Sequence, residues 1–284
     1  MKILRSLPMP MPLLLFFALL LGMLGPLPAS AATPAAPAPA ASAPDPDAPY
    51  EAKLNDASEL LHAKFPQQAI DGPLAEVLAH FEALYRGRPE KIFCAGSTEE
   101  SLIYLLDAAA AQFPAASASA PARAASAQIY IDPDNGSGSF KSGTDGPPTV
   151  AVIGPAWATA YLMKGYALVE LGRLAEAHEA LEHAIALSPQ NSQYLAELAY
   201  LYQAEKQWQL SLATYARAEQ AAHFAPEQAR KEHEGRALRG QGFALTELGR
   251  LDEATAFYRK ALELDPQDQR SLNELRYIEQ QRRK

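Results

Sequence analysis

Cys94 is the only cysteine in the 284-residue chain, and with His62 or His80 as a base it would make a thiol nucleophile. That chemistry needs a sharp turn presenting the sulfur and a cluster of glycine amides to hold an oxyanion, and neither surrounds Cys94. The residue therefore reads as a small buried hydrophobe, and a single thiol excludes an internal disulfide. The stretch Asp132-Pro133-Asp134-Asn135-Gly136 has the acidic opening of a calcium-binding loop. Its glycine falls at the fifth place instead of the sixth, however, and Gly143 stands where a bidentate Glu must close the loop. It reads as a turn joining two strands. The six histidines are scattered, and His178 and His183, five apart on a helix, do not make a metal site. No glycine-rich loop suited to phosphate occurs. No catalytic residue, metal or cofactor is assigned, and the chain is expected not to be an enzyme.

The residues that remain are those suited to binding, and composition limits what they bind. Lys and Arg total 25 against 33 Asp and Glu, with no basic block, so the counterion release that drives nucleic-acid binding is not expected. The first residues have the form of a secretory signal: Lys2 and Arg5, an apolar run from Leu13 to Leu24, and Ala29-Ser30-Ala31 as a cleavage site. The apolar run of about 12 residues would rise about 18 Å as a helix, short of the roughly 30 Å hydrocarbon core, so no membrane span is expected after cleavage. Loss of Lys2 and Arg5 would shift the formal charge from −8 to −10. Export to the periplasm, with full secretion as the alternative, is the expected destination.

Residues 1–31 are thus expected as signal peptide and 32–49 as an Ala/Pro-rich linker too poor in large apolar groups to fold. Residues 50–157 read as a small mixed α/β region. Tyr50 to Phe65 gives a helix, Pro73 opens a second, and Gly87 closes it. Lys91–Cys94 is a strand feeding a helix whose Ser97 and Glu100 have capping-box spacing. Gln128–Ile131 and Thr149–Ile153 are strands expected to pair across the Gly/Ser/Asp/Pro loop between them, and Pro114–Ala127 is a loop.

The C-terminal half repeats itself. Gly165–Ala177 and Gly242–Ala254 match at 10 of 13 positions, offset by 77 residues, so two 34-residue units leave nine over. In registers 158–191, 192–225 and 235–268, Gly165, Ala199 and Gly242 share the eighth place. Ala184, Ala218 and Ala261 share the twenty-seventh, and Leu181, Tyr215 and Tyr258 the twenty-fourth. Small residues let helix axes approach while Leu or Tyr one turn away fills the space. Leu171-Gly172 and Leu248-Gly249 end the first helices, whereas the middle unit has Lys206 for the turn glycine and Ser211 for the alanine at place 20. The nine extra residues, Pro226–Glu234, lengthen the third unit's first helix. Leu272, Leu275 and Ile278 mark an amphipathic final helix.

These residues resemble the tetratricopeptide repeat. The resemblance implies a mainly α chain: an α-solenoid of three helical hairpins over 158–284 with a C-terminal capping helix, preceded by the small mixed α/β region. It further implies that the first helices line a concave groove through places 2, 5, 6, 9, 12 and 13. Here those places give Leu162, Met163, Tyr166 and Glu170; Gln193, Glu197, Tyr200 and Gln203; and Arg236, Arg239, Gly240, Phe243 and Glu247. Place 9 is aromatic three times, and Gly240, one turn before Phe243, would admit a ligand backbone. The family's carboxylate clamp needs Lys and Asn where Leu162 and Tyr166 stand, so that clamp is absent. The expected function is a protein or peptide interaction module. The alternatives are a thiol or hydrolytic enzyme in residues 50–157 served by the repeats, and a self-associating envelope protein whose groove takes another copy's Ala/Pro linker.

Overall fold

The computed structural model describes residues 48–112, 127–132, 136–142 and 149–283. The signal, the cleavage site, the linker up to residue 47, most of the 114–127 stretch and residues 133–135 of the acidic turn lie outside the described residues. Ala48 and Pro49, expected in the linker, instead open a helix, where proline's missing N–H costs nothing.

Three helical hairpins form the C-terminal half. The first pairs α5 (Ala156–Glu170) with α6 (Leu174–Leu187), the second α7 (Ser192–Ala204) with α8 (Trp208–Ala221), and the third α9 (Glu227–Glu247) with α10 (Leu251–Leu264). Helix α11 (Gln269–Arg282) closes the stack, burying Ile278 and carrying Arg282 to Asp252. The nine extra residues do lengthen α9, which starts after a Pro226 cap and runs for 21 residues. Small places pack as the spacing requires. Ala177, Ala184, Ala199, Ser211, Ala218, Ala254 and Ala261 are buried, and a Cβ on Gly242 would stand 2.9 Å from the Tyr258 ring.

The region expected as one mixed α/β unit divides in two. Helix α1 (Ala48–His62) turns at Lys64 into a second helical segment, made of α2 (Pro66–Ala69), a wide turn at Ile70–Leu74 and α3 (Ala75–Tyr85). This segment starts at Pro66, not at Pro73; Pro73 cannot donate a backbone bond, and the chain kinks at Gly72 (φ −104°, ψ −108°) and continues. Ala57, Leu61, Ala69, Leu74, Val77 and Phe81 share one core with α5 to α9.

The turn of this pair has the geometry of the turns in the three C-terminal hairpins. Lys64, Gly172, Lys206 and Gly249 have φ of 67°, 73°, 61° and 76°. At each, the left-handed residue's amide donates three residues back and the next amide donates five back, as Lys64 to Leu61 and Phe65 to Leu60, or Gly172 to Val169 and Arg173 to Leu168.

Between this hairpin and α5 the chain builds a separate module: β1 (Lys91–Cys94), α4 (Thr98–Gln112), β2 (Ala127–Ile131), β3 (Gly138–Ser142) and β4 (Val150–Ile153). The sheet order is β1-β4-β3-β2, with β1 parallel to β4 and the other neighbours antiparallel. The expected pairing of Gln128–Ile131 with Thr149–Ile153 does not occur, because β3 lies between them. Its Gly138-Ser139 start hides a strand whose one large apolar residue, Phe140, is fully buried. Phe93, Phe140, Val150 and Val152 meet Tyr104 and Leu105 of α4 on one face, while Cys94 and Ile153 on the other join the helical core. Because the first and last strands are neighbours, the module enters and leaves the array at one place.

Candidate functional site

The first helices α5, α7 and α9 bring five of the expected residues, Tyr166, Gln193, Glu197, Tyr200 and Arg236, to one point. Glu197, 6 % exposed on α7, forms a 2.6 Å ion pair with Arg236 of α9, and the Tyr166 phenol of α5 is hydrogen-bonded with Glu197 and Gln193. Tyr200, one helical step from Glu197, lies in the field of both charges. Burial opposes the Arg236 charge, but the Glu197 carboxylate outweighs it and holds the guanidinium above its usual value. Burial, then Glu197, raises the Tyr166 phenol, so it stays a neutral donor. This polar centre is satisfied internally, as a buried charge requires.

Further along, Gln203 donates to the Gly240 carbonyl at 3.2 Å, tying α7 to α9. Arg239 reaches Asp268 at 3.5 Å, which couples the groove to the cap of α11. Phe243 meets Trp208 edge to face at 6.1 Å, and Glu247 is exposed at the helix end. Glu170 is not held by its own hairpin but by Lys64 of the N-terminal one, at 2.8 Å.

Three expected groove residues are used otherwise. Leu162 and Met163 are 3 % and 1 % exposed and belong to the helical core. Gly240 does not leave room for a ligand backbone: a Cβ there would lie 2.4 to 2.5 Å from the Tyr215 ring, so the missing side chain makes space for Tyr215. A rotation of one place on the helix separates these two roles, and spacing alone does not fix it.

Sequence reasoning missed Ser192 and His233, whose Oγ and Nδ1 are 2.7 Å apart. Burial, aided by Arg236, pushes the His233 imidazole down to about 4. Ser192 is 4 % exposed in the first turn of α7, capped by Asn191, so the pair fastens the α9 extension to α7. The only advance signal was the extension itself.

Among the described residues, three hydrogen bonds tie the module to the array. Ser188 Oγ donates to the Cys94 carbonyl at 2.7 Å, Ser97 Oγ to the Phe224 carbonyl at 3.0 Å, and the Gln190 amide to the Tyr104 hydroxyl at 3.1 Å. Ser97 caps α4 through the Glu100 amide, and Glu100 reaches back to the Gly96 amide while accepting from Tyr104. Burial raises the Glu100 carboxyl. Cys94 itself has no exposed surface; His62 contacts Ser58 at 3.5 Å, and His80 stacks on Tyr50.

Residues 158–191 and 235–268 each match a family model of the tetratricopeptide repeat. No curated protein sequence matches the chain. Among solved structures, the first TPR domain of the human RPAP3 protein is similar at 28 % identity over 45 % of this chain and 93 % of its own, with a TM-score of 0.34. The N-terminal domain of stress-induced protein-1 from C. elegans is 20 % identical over 44 % of this chain and 96 % of its own, with a TM-score of 0.40. The first TPR of Spaghetti (RPAP3) bound to an HSP90 peptide is 24 % identical over 45 % and 96 %, with a TM-score of 0.39.

Proposed function

We propose, from the premise that the C-terminal half of this chain is an array of tetratricopeptide repeats, that the protein is an exported interaction module whose inner face binds a protein or peptide. The observation that carries this reading is the convergence of Tyr166, Tyr200, Gln193, Glu197 and Arg236 from three successive first helices, with Phe243 continuing the aromatic line. Because the central charges already pair with each other, a partner gains from covering rings and bonding to side-chain amides, not from adding a charge.

Export to the periplasm, or beyond it, is supported by Lys2, Arg5, the Leu13–Leu24 run and Ala29-Ser30-Ala31. A non-enzymatic role is supported by the burial of Cys94. The test is crosslinking from a photoreactive residue at position 200, in the native chain and in a Phe243→Ala variant. Partners that appear in the first and fade in the second support the inner face; identical profiles refute it.

A further inference from the structure

We propose that two copies of this chain join antiparallel along the outer edge of β2, with Ile129 facing its own image, to make one eight-stranded sheet. This rests on the module, not on the groove, and stands independently of the reading above.

Strand β2 ends the sheet, and among the described residues no strand pairs with its outer edge. The direction of its free groups follows from the turn. The Asp132 amide donates to the Ser137 carbonyl, and the Asp132 carbonyl accepts from Gly136, so Asp132 points its backbone toward β3. Alternation then turns Tyr130 and Gln128 the same way, and Ala127, Ile129 and Ile131 outward. Three N–H and three C=O groups thus lie along this edge. Ala127-Gln128-Ile129-Tyr130-Ile131 contains no charge and no proline, and Ile129 and Tyr130 are 41 % and 62 % exposed. Leu102 and Leu106 of α4, the helix packed on this sheet, are exposed as well.

The strand is its own complement. A two-fold axis at Ile129 sets Ile129 opposite Ile129, Gln128 opposite Tyr130 and Ala127 opposite Ile131, with no like charges facing. It would exchange about six backbone bonds, since the outward residues fall into the bonded pairs of an antiparallel ladder. At the other end of the sheet, β1 places Cys94 in the helical core with Ile92 packed against it.

Sedimentation equilibrium of the purified chain across the micromolar range tests this. The weight-average mass is expected to rise from one chain toward two with concentration. Because residue 129 faces itself, Ile129→Lys and Ile129→Glu should each abolish the rise while keeping the wild-type melting curve, and mixing the two should restore it. A wild-type chain that stays monomeric overturns the proposal without any variant, as does an Ile129→Lys chain that still dimerises or a mixture that does not.

Discussion

Replacing Gly240 with alanine asks whether its bare backbone serves a ligand or a neighbouring ring. The new methyl would sit 2.4 Å from Cε2 and Cζ of Tyr215 and 2.5 Å from Cε1, where carbon contacts settle near 3.5–4 Å, so something must move by about 1 Å. Tyr215 is 3 % exposed within the core. Overpacking of this kind costs about 1–3 kcal/mol. Against it, alanine is better than glycine inside a helix by about 1 kcal/mol. The net expectation is a loss of up to about 2 kcal/mol, or a fall in melting midpoint of up to about 8 °C. Thermal denaturation followed by circular dichroism reads it directly. In a Tyr215→Ala background the obstacle is gone, and the same change at Gly240 should turn stabilising. A single Gly240→Ala variant that melts higher than the native chain would refute the packing argument and return Gly240 to the surface.

Lys206 holds a left-handed turn that glycine adopts without strain, so Lys206→Gly should raise stability by about 0.5–1 kcal/mol, measured by urea midpoint. Ser211 Oγ is buried without a hydrogen-bond partner at a place where the other hairpins carry alanine, and Ser211→Ala should stabilise by about 1 kcal/mol in the same assay. For His233 the folded value, about 4, lies below its ordinary 6.5, so the unfolded chain takes up the proton first. Stability should therefore be complete above pH 6.5 and fall on acidification toward pH 4, with a contribution of about 2–3 kcal/mol that His233→Gln removes from the acid limb of the pH curve.

The three hairpins were legible because their packing leaves residues of fixed size at fixed places: Gly165 against Leu181, Gly242 against Tyr258, and Gly172 and Gly249 in the turns. The N-terminal hairpin obeys the same turn geometry but states it with Lys64, and its second helix is broken at Gly72-Pro73, so the pattern disappears from the sequence while surviving in space. Strand β3 was hidden for another reason. Gly138 and Ser139 have little intrinsic preference for a strand, and the pairing that holds them comes from β2 and β4 on either side. At the inner face, residue type showed which places were aromatic or charged. It did not show that Glu197 would choose Arg236, or that Lys64, far away in the chain, would take Glu170.

The placement of the module between the first hairpin and α5 separates contacts that an uninterrupted array would make locally. Core partners such as Phe81 and Trp157, stacked at 5.9 Å, belong to consecutive units yet are joined through the whole of the sheet and α4. Closing so long a connection is entropically harder than stacking the next repeat, and it grows easier once β1 and β4 have paired and drawn its ends together. Folding should then propagate among the last three hairpins first, with the N-terminal hairpin docking after the module has closed. The same order read backward makes residues 48–85 the part of the array whose amides exchange with solvent soonest.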